Sequence, residues 1–270
     1  MTPSRLLSGL CVLAATLSST SAQCTDVHVV FARGSGEMPG LGICGTPLVS
    51  GIKSNLQGMS VSSYAVNYMA DVAQTSAGPG ATDMTNHIVQ YASQCPNAVF
   101  VIGGYSQGAS VTDIAIGVRT MLGTGKTIPT DLAPRIKAVV TFGNPLKLTG
   151  QTIAKSSQLY GSKSIDICNV GDPVCAGGFN TMAHMMYPTD GGVTKAAQQA
   201  AQMVRAGGGA GTGGNDAQNG GSSQQPTQPS SGTGGMGGFG GFPGFGGMGG
   251  NTGGGFPSFG FGNLLRGNRQ

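Results

Sequence analysis

The sequence has no C-x-x-C pair, no clustered stripe of lysine and arginine, no internal repeat and, past its opening segment, no apolar run of bilayer length. Each absence excludes a class of protein. Fourteen lysines and arginines stand against ten aspartates and glutamates, a net charge of +4. Arg5, Arg266 and Arg269 lie near the ends, so the middle of the chain is nearly balanced. Nucleic acid is not an expected partner. Zinc fingers and ribbons are excluded because no histidine stands near a cysteine in their spacings. The one apolar stretch, Leu6 to Leu17 after Arg5, is too short to span a membrane and ends in Thr20-Ser21-Ala22. Residues 1–22 therefore read as a secretory signal cut before Gln23, and the expected product is soluble, extracellular and unattached to membrane.

The other end has almost no charge and neither cysteine nor tryptophan. From Gly207 to Gln270 the chain is glycine with Ser, Gln, Asn, Pro, Phe and Met. Such a segment cannot bury enough apolar surface to offset its ordering entropy, so residues 207–270 are expected to be a disordered low-complexity spacer. A folded cellulose- or chitin-binding module does not fit there. The folded part is then 23–206, a single domain that buries roughly 70% of its unfolded-chain surface. It holds Cys24, Cys44, Cys95, Cys168 and Cys175. In an exported chain these are expected to be oxidised, with one left over.

What is present is an alternation of two periodicities. "VHVVFA" (27–32), "SVSSYAVNY" (60–68), "AVFVI" (98–102), "IKAVVTF" (136–142) and "SIDIC" (164–168) read as strands. Between them Leu48, Ile52 and Leu56, then Met84, Ile88, Tyr91 and Ala92, then Val111, Ile114, Ala115 and Val118 recur at helical spacing. Thr46-Pro47 fits an N-cap followed by proline at the first helical position, and Thr82, after a turn at Gly78-Pro79-Gly80, fits the start of the second helix. Gly192 to Arg205 reads as a closing helix. Strands alternating with helices imply right-handed βαβ units. The expected fold is α/β, a three-layer α/β/α sandwich around a parallel sheet of about five strands.

The chemistry-bearing stretch is "VFVIGGYSQGASVTDIAIGV", where a strand runs into a helix through Gly104-Tyr105-Ser106-Gln107-Gly108. A G-x-S-x-G turn in that context holds a strained serine with its hydroxyl above the sheet. A serine hydroxyl becomes a nucleophile only beside a base that a carboxylate orients. His28 lies inside the first strand and His87 beside an apolar helical stripe, so both read as structural. His184 lies in an irregular segment, "GGFNTMAHMMYP", beyond the last strand, where the loops of such folds carry chemistry. Asp172, in "CNVGDPVC", follows the fifth strand, whereas Asp166 and Asp190 read as surface or capping residues. The order Ser106, Asp172, His184 is that of α/β-hydrolases. Ser35, in "RGSGE" after the first strand, and Gln107 are placed to supply amides to an oxyanion.

With "FARGSGE", "YAVNY", "CPNAVFVIGGYSQGA", "FGNP", "CNVGDPVC" and "AHMMYP" spread over nearly the whole folded part, the chain resembles the cutinases and the related acetylxylan esterases. That resemblance implies a compact, lidless serine esterase acting on plant cutin or on smaller esters. Ser106 would be the nucleophile, His184 the base and then the acid, Asp172 its orienting carboxylate, and Ser35 with Gln107 the oxyanion hole. No metal or organic cofactor is called for. The resemblance also implies disulfides Cys24–Cys95 and Cys168–Cys175, worth about 4 and about 2.5 kcal/mol by loop-closure entropy. Val174, Met182 and Met185, with Met186 and Phe179, suggest an apolar wall for an acyl chain. The expected partner is a polyester or acylated polysaccharide met by a monomer. Acetylxylan esterase, short-chain esterase and a non-catalytic surface or elicitor protein are the alternatives.

Overall fold

The structure is a computed structural model and describes residues 24–207. Five parallel strands, β1 (Val27–Ala32), β2 (Val61–Ala65), β3 (Val99–Tyr105), β4 (Ile136–Phe142) and β5 (Ser164–Ile167), form one sheet in the order β2-β1-β3-β4-β5. The helices are α1 (Gly42–Asn55), α2 (Ala77–Gln94), α3 (Gln107–Ala115), the one-turn α4 (Ile153–Ser156), α5 (Thr181–Met185) and α6 (Gly192–Gly207). Alternation along the strands divides the core in two. Val27, Val29 and Phe31 of β1, with Val101 of β3 and Val140 and Phe142 of β4, pack against α1 and α6. Val30 and Ala32, with Ile102 and Val139, pack with α2 and α3. Apolar residues of both parities explain why these strands read as continuous apolar runs. The three-layer α/β/α sandwich is as expected.

Two helix starts differ from expectation. α1 begins at Gly42, four residues before Thr46, because an acid supplies the cap from outside the helix. Glu37 accepts the Ile43 N–H at 2.7 Å and the Gly34 N–H at 2.5 Å. A Cβ on Gly42 would lie 2.5 Å from that carboxylate, so the cap needs glycine there. α2 begins at Ala77 and takes Gly78-Pro79-Gly80 into its first turn, where proline's missing N–H costs nothing. The two glycines allow close packing. A Cβ on Gly78 would meet the Thr124 carbonyl at 2.1 Å, and one on Gly80 would meet Val111 at 2.8 Å.

Disulfides join Cys24 to Cys95 and Cys168 to Cys175. The first ties the lead-in to β1 onto the end of α2, and the second closes the turn that carries Asp172. Cys44 is a buried thiol on α1, and burial pushes its pKa up. The assigned signal (1–22) and, past Gly207, the tail lie outside the described residues. Among the described residues no helix is long and apolar enough to cross a membrane.

Candidate active site

β3 and α3 meet at Ser106, whose φ of 56° and ψ of −118° lie where L-residues are strained by roughly 1–3 kcal/mol. Tight packing holds the turn in that state. The Ser106 N–H donates to the Phe142 carbonyl of β4 at 2.9 Å. A Cβ on Gly104 would sit 1.9 Å from the Gly108 carbonyl, and one on Gly108 would sit 2.0 Å from that of Ala32. Both flanking positions of the motif therefore require glycine.

The histidine stands on ordered structure rather than an irregular segment. α5 is a short helix whose start is capped by Asn180, which accepts the N–H groups of Met182 and Ala183 at 3.1 and 3.3 Å. His184 Nδ1 lies 2.8 Å from Asp172 Oδ2. Asp172 is fully buried and the His184 side chain is 15% exposed. Burial raises the Asp172 carboxyl, but hydrogen bonds from His184, Tyr187 and the Val174 N–H outweigh it and hold the group below the usual carboxylate range. With the carboxylate ionised, Nδ1 carries the proton and Nε2 is left as a base.

The aromatic ring next to the serine meets this histidine. The Tyr105 and His184 rings lie 4.9 Å apart, and the Tyr105 hydroxyl donates to the His184 carbonyl at 2.8 Å. Gly143, which follows the residue that bonds the Ser106 amide, backs the same imidazole. A Cβ there would lie 2.7 Å from His184 Cε1 and 3.3 Å from Asp172 Oδ2, and its φ is +57°. Among the described residues the Ser106 hydroxyl makes no hydrogen bond to the His184 ring. Such contacts tighten when substrate arrives.

Ser35 and Gln107 are also together. The Ser35 hydroxyl donates to Gln107 Oε1 at 3.2 Å, and Gln107 Nε2 reaches Ser76 Oγ at 3.5 Å. Neither backbone N–H of the pair has a protein acceptor among the described residues. The "RGSGE" loop is a built structure. Arg33, buried, donates to the carbonyls of Glu37 at 2.8 Å and Tyr68 at 2.7 Å, and Tyr68 donates back to the Arg33 carbonyl.

The remaining acids and histidines lie outside this arrangement. Asp190 caps α6, accepting the Gly192 N–H at 2.8 Å. Asp166, half-buried on β5, accepts from Thr141 at 3.0 Å, and burial raises its pKa. His28 and His87 bond to each other, Nε2 to Nε2, at 2.8 Å on the α2 side of the sheet. Met182 and Met185 are each 57% exposed and Phe179 is fully exposed, whereas Val174 is buried and adds almost no surface to such a wall. Two concavities, about 540 Å³ between β5 and α6 and about 380 Å³ beside His28 and His87, are lined by neither Ser106 nor His184.

Sequence reasoning missed Tyr105, Gly143 and Tyr187. The glycine had a signal in "FGNP", and Tyr187 stands one helical turn past His184. Only a fold shows what each touches.

The cutinase family model matches residues 23–204. The chain belongs to the cutinase family. A protein of Kineococcus radiotolerans named cutinase is 52% identical over 190 residues, covering 70% of this chain and 65% of that one. Carboxylesterase Culp1 of Mycobacterium tuberculosis is 38% identical over 188 residues, 67% of this chain and 82% of the relative. Among solved structures, Trichoderma reesei cutinase bound to a phosphonate inhibitor aligns with a TM-score of 0.53 at 27% identity, over 67% of this chain and 77% of that one. Membership places this cutinase-family chain among carboxylic ester hydrolases. The chain spans about two thirds of the Kineococcus relative's length.

Proposed function

We propose that the protein is a secreted serine esterase that hydrolyses carboxylic ester bonds, those of the polyester cutin first, through Ser106, His184 and Asp172. The observation that carries the reading is the 2.8 Å contact between His184 Nδ1 and a fully buried, ionised Asp172, in a fold that sets a strained serine one residue from a tyrosine touching that histidine. Ser106 Oγ attacks the ester carbonyl while His184 Nε2 takes its proton. The tetrahedral oxyanion is met by the free amides of Ser35 and Gln107. His184 then returns the proton to the leaving alcohol, and water cleaves the acyl-enzyme by the reverse path. Losing one oxyanion donor costs a hundredfold or more in turnover. Exposed Met182, Met185 and Phe179 beside the histidine favour an apolar acyl chain or polymer surface over a charged substrate.

A fluorophosphonate probe is expected to label Ser106 in the wild type and not in Ser106→Ala. The phosphonate complex of the Trichoderma relative makes this reagent class appropriate. Absence of labelling in the folded protein would favour a non-catalytic surface protein. Rates on p-nitrophenyl esters of rising acyl length, compared with release from cutin and from acetylxylan, test the substrate. Activity confined to acetyl esters without cutin release would replace cutin with acetylxylan or short esters.

A further inference from the structure

Tyr187 is fully buried, and the reaction steps given above do not use it. Its hydroxyl donates to Asp172 Oδ2, the same oxygen that accepts from His184 Nδ1. It also accepts the Asn169 N–H at 3.2 Å, which fixes the direction of the phenol proton toward the carboxylate. Oδ1 of Asp172 is taken by the Val174 N–H at 2.7 Å. The carboxylate thus has three donors, two of them on the oxygen that faces the imidazole. The tyrosine ring is held by Phe142 and Tyr105, with centroids 5.8 and 6.0 Å away. Tyr187 stands three positions after His184, so one turn of α5 and its exit brings both side chains to one acid.

We propose that Tyr187 is a positioning residue that, resting on the triad reading above, keeps Asp172 Oδ2 on His184 Nδ1 and draws off part of the carboxylate's negative charge. A carboxylate that shares its charge with a phenol stabilises the imidazolium less. Tyr187 thereby tunes how strongly the carboxylate holds the imidazole. The titratable groups facing this cluster are Asp172, His184 and Tyr105, with Glu37 and Cys44 acting on Tyr105 from the first loop and α1. Asp190 reaches the turn through Asn169, 2.5 Å from its side-chain amide. No lysine or arginine is among them, so no cation competes with the phenol for Asp172.

The test is the pH profile of kcat/KM on p-nitrophenyl butyrate for Tyr187→Phe. Removing the donor leaves Asp172 more negative toward the ring, so the acid limb is expected to move to higher pH by about half a unit, with an activity loss of about tenfold at the plateau. A second variant carries 3,5-difluorotyrosine at position 187. Its more acidic phenol is a stronger donor, and the limb is expected to move to lower pH with the fold intact. Burial, with Asp172 beside it, holds the natural phenol well above its ordinary pKa, which keeps the fluorinated ring protonated through the assay.

If both variants keep the wild-type limb while only the melting temperature falls, Tyr187 is a core tyrosine and the proposal is overturned. Where Tyr187→Phe does not fold, the fluorinated protein decides alone. Undiminished hydrolysis by Ser106→Ala would instead sink the triad reading, so the two failures are distinct.

Discussion

His28 and His184 are the same residue placed against opposite surroundings. His184 gives one ring nitrogen to an ionised carboxylate and leaves the other at the carboxyl ends of the strands. His28 gives one nitrogen to Ser62 at 2.7 Å and the other to His87 at 2.8 Å, with Tyr91 stacked on its face at 3.8 Å. No carboxylate touches it, and burial followed by repulsion from His87 pushes its pKa down to about 4. One histidine is built to accept a proton and the other to refuse it. A carboxylate beside the ring, more than depth, separates base from packing, since both side chains are mostly covered.

The sharpest way to break this comparison is to remove first His184 and then His87, the partner of His28. His184→Ala is expected to lower kcat by about 10⁴-fold or more, because Ser106 then lacks its base. His87→Gln should leave kcat within about twofold, since the rings His87 meets, those of His28, Tyr64 and Tyr91, are not among the reacting groups. Steady-state rates on a single p-nitrophenyl ester decide it. Comparable losses in both would mean that the two regions are coupled through β1.

A smaller perturbation leaves His184 in place and moves its backing. Gly143→Ala puts a methyl group 2.7 Å from His184 Cε1, at a backbone φ of +57° that alanine resists. Displacement of the ring by even a fraction of an ångström is expected to cost about 10²-fold in kcat/KM. Substrate affinity, read as product-inhibition constants, should change little. Unchanged kcat/KM with a lowered melting temperature would show that the imidazole has room to yield.

The strand sequence, the parallel sheet and the serine turn were legible because each rests on local rules: apolar runs buried on both faces, and glycines flanking a strained residue. Ser106, Asp172 and His184 were singled out by order along the chain and position after strands, and the structure joins the last two. Helix starts were not, because Glu37 caps α1 through space and the first turn of α2 takes in the glycine-proline stretch, so the local signals at Thr46 and Thr82 mark no boundary. Tyr187 and Gly143 were illegible for a similar reason. Their importance lies in what they approach, Asp172 Oδ2 and the imidazole edge, and neither approach follows from spacing. Asp166 is half-buried, and its hydrogen bond with Thr141 across β4 and β5 does not follow from spacing.

The smallest expected effect separates the two histidines by pH. The folded-state pKa of His28 is depressed from 6.5 to about 4, so between those values the unfolded chain binds the proton and the folded protein does not. The contribution of His28 is therefore complete above pH 6.5 and is lost as pH falls toward 4. Its size is bounded by about 3 kcal/mol, and partial hydration of the pair brings it nearer 2 kcal/mol. Asp113, raised by burial to about 8, titrates with the opposite sign, since its carboxyl prefers the proton in the folded state and loses stability as pH rises. Wild-type stability alone therefore mixes the two. The difference between wild type and His28→Gln, from denaturant unfolding at steps from pH 4 to pH 7.5, isolates the histidine and is expected to slope upward with pH only below 6.5. A flat difference would mean that His28 takes up its proton as readily in the folded protein as in the unfolded chain, and the contrast with His184 would then rest on position alone.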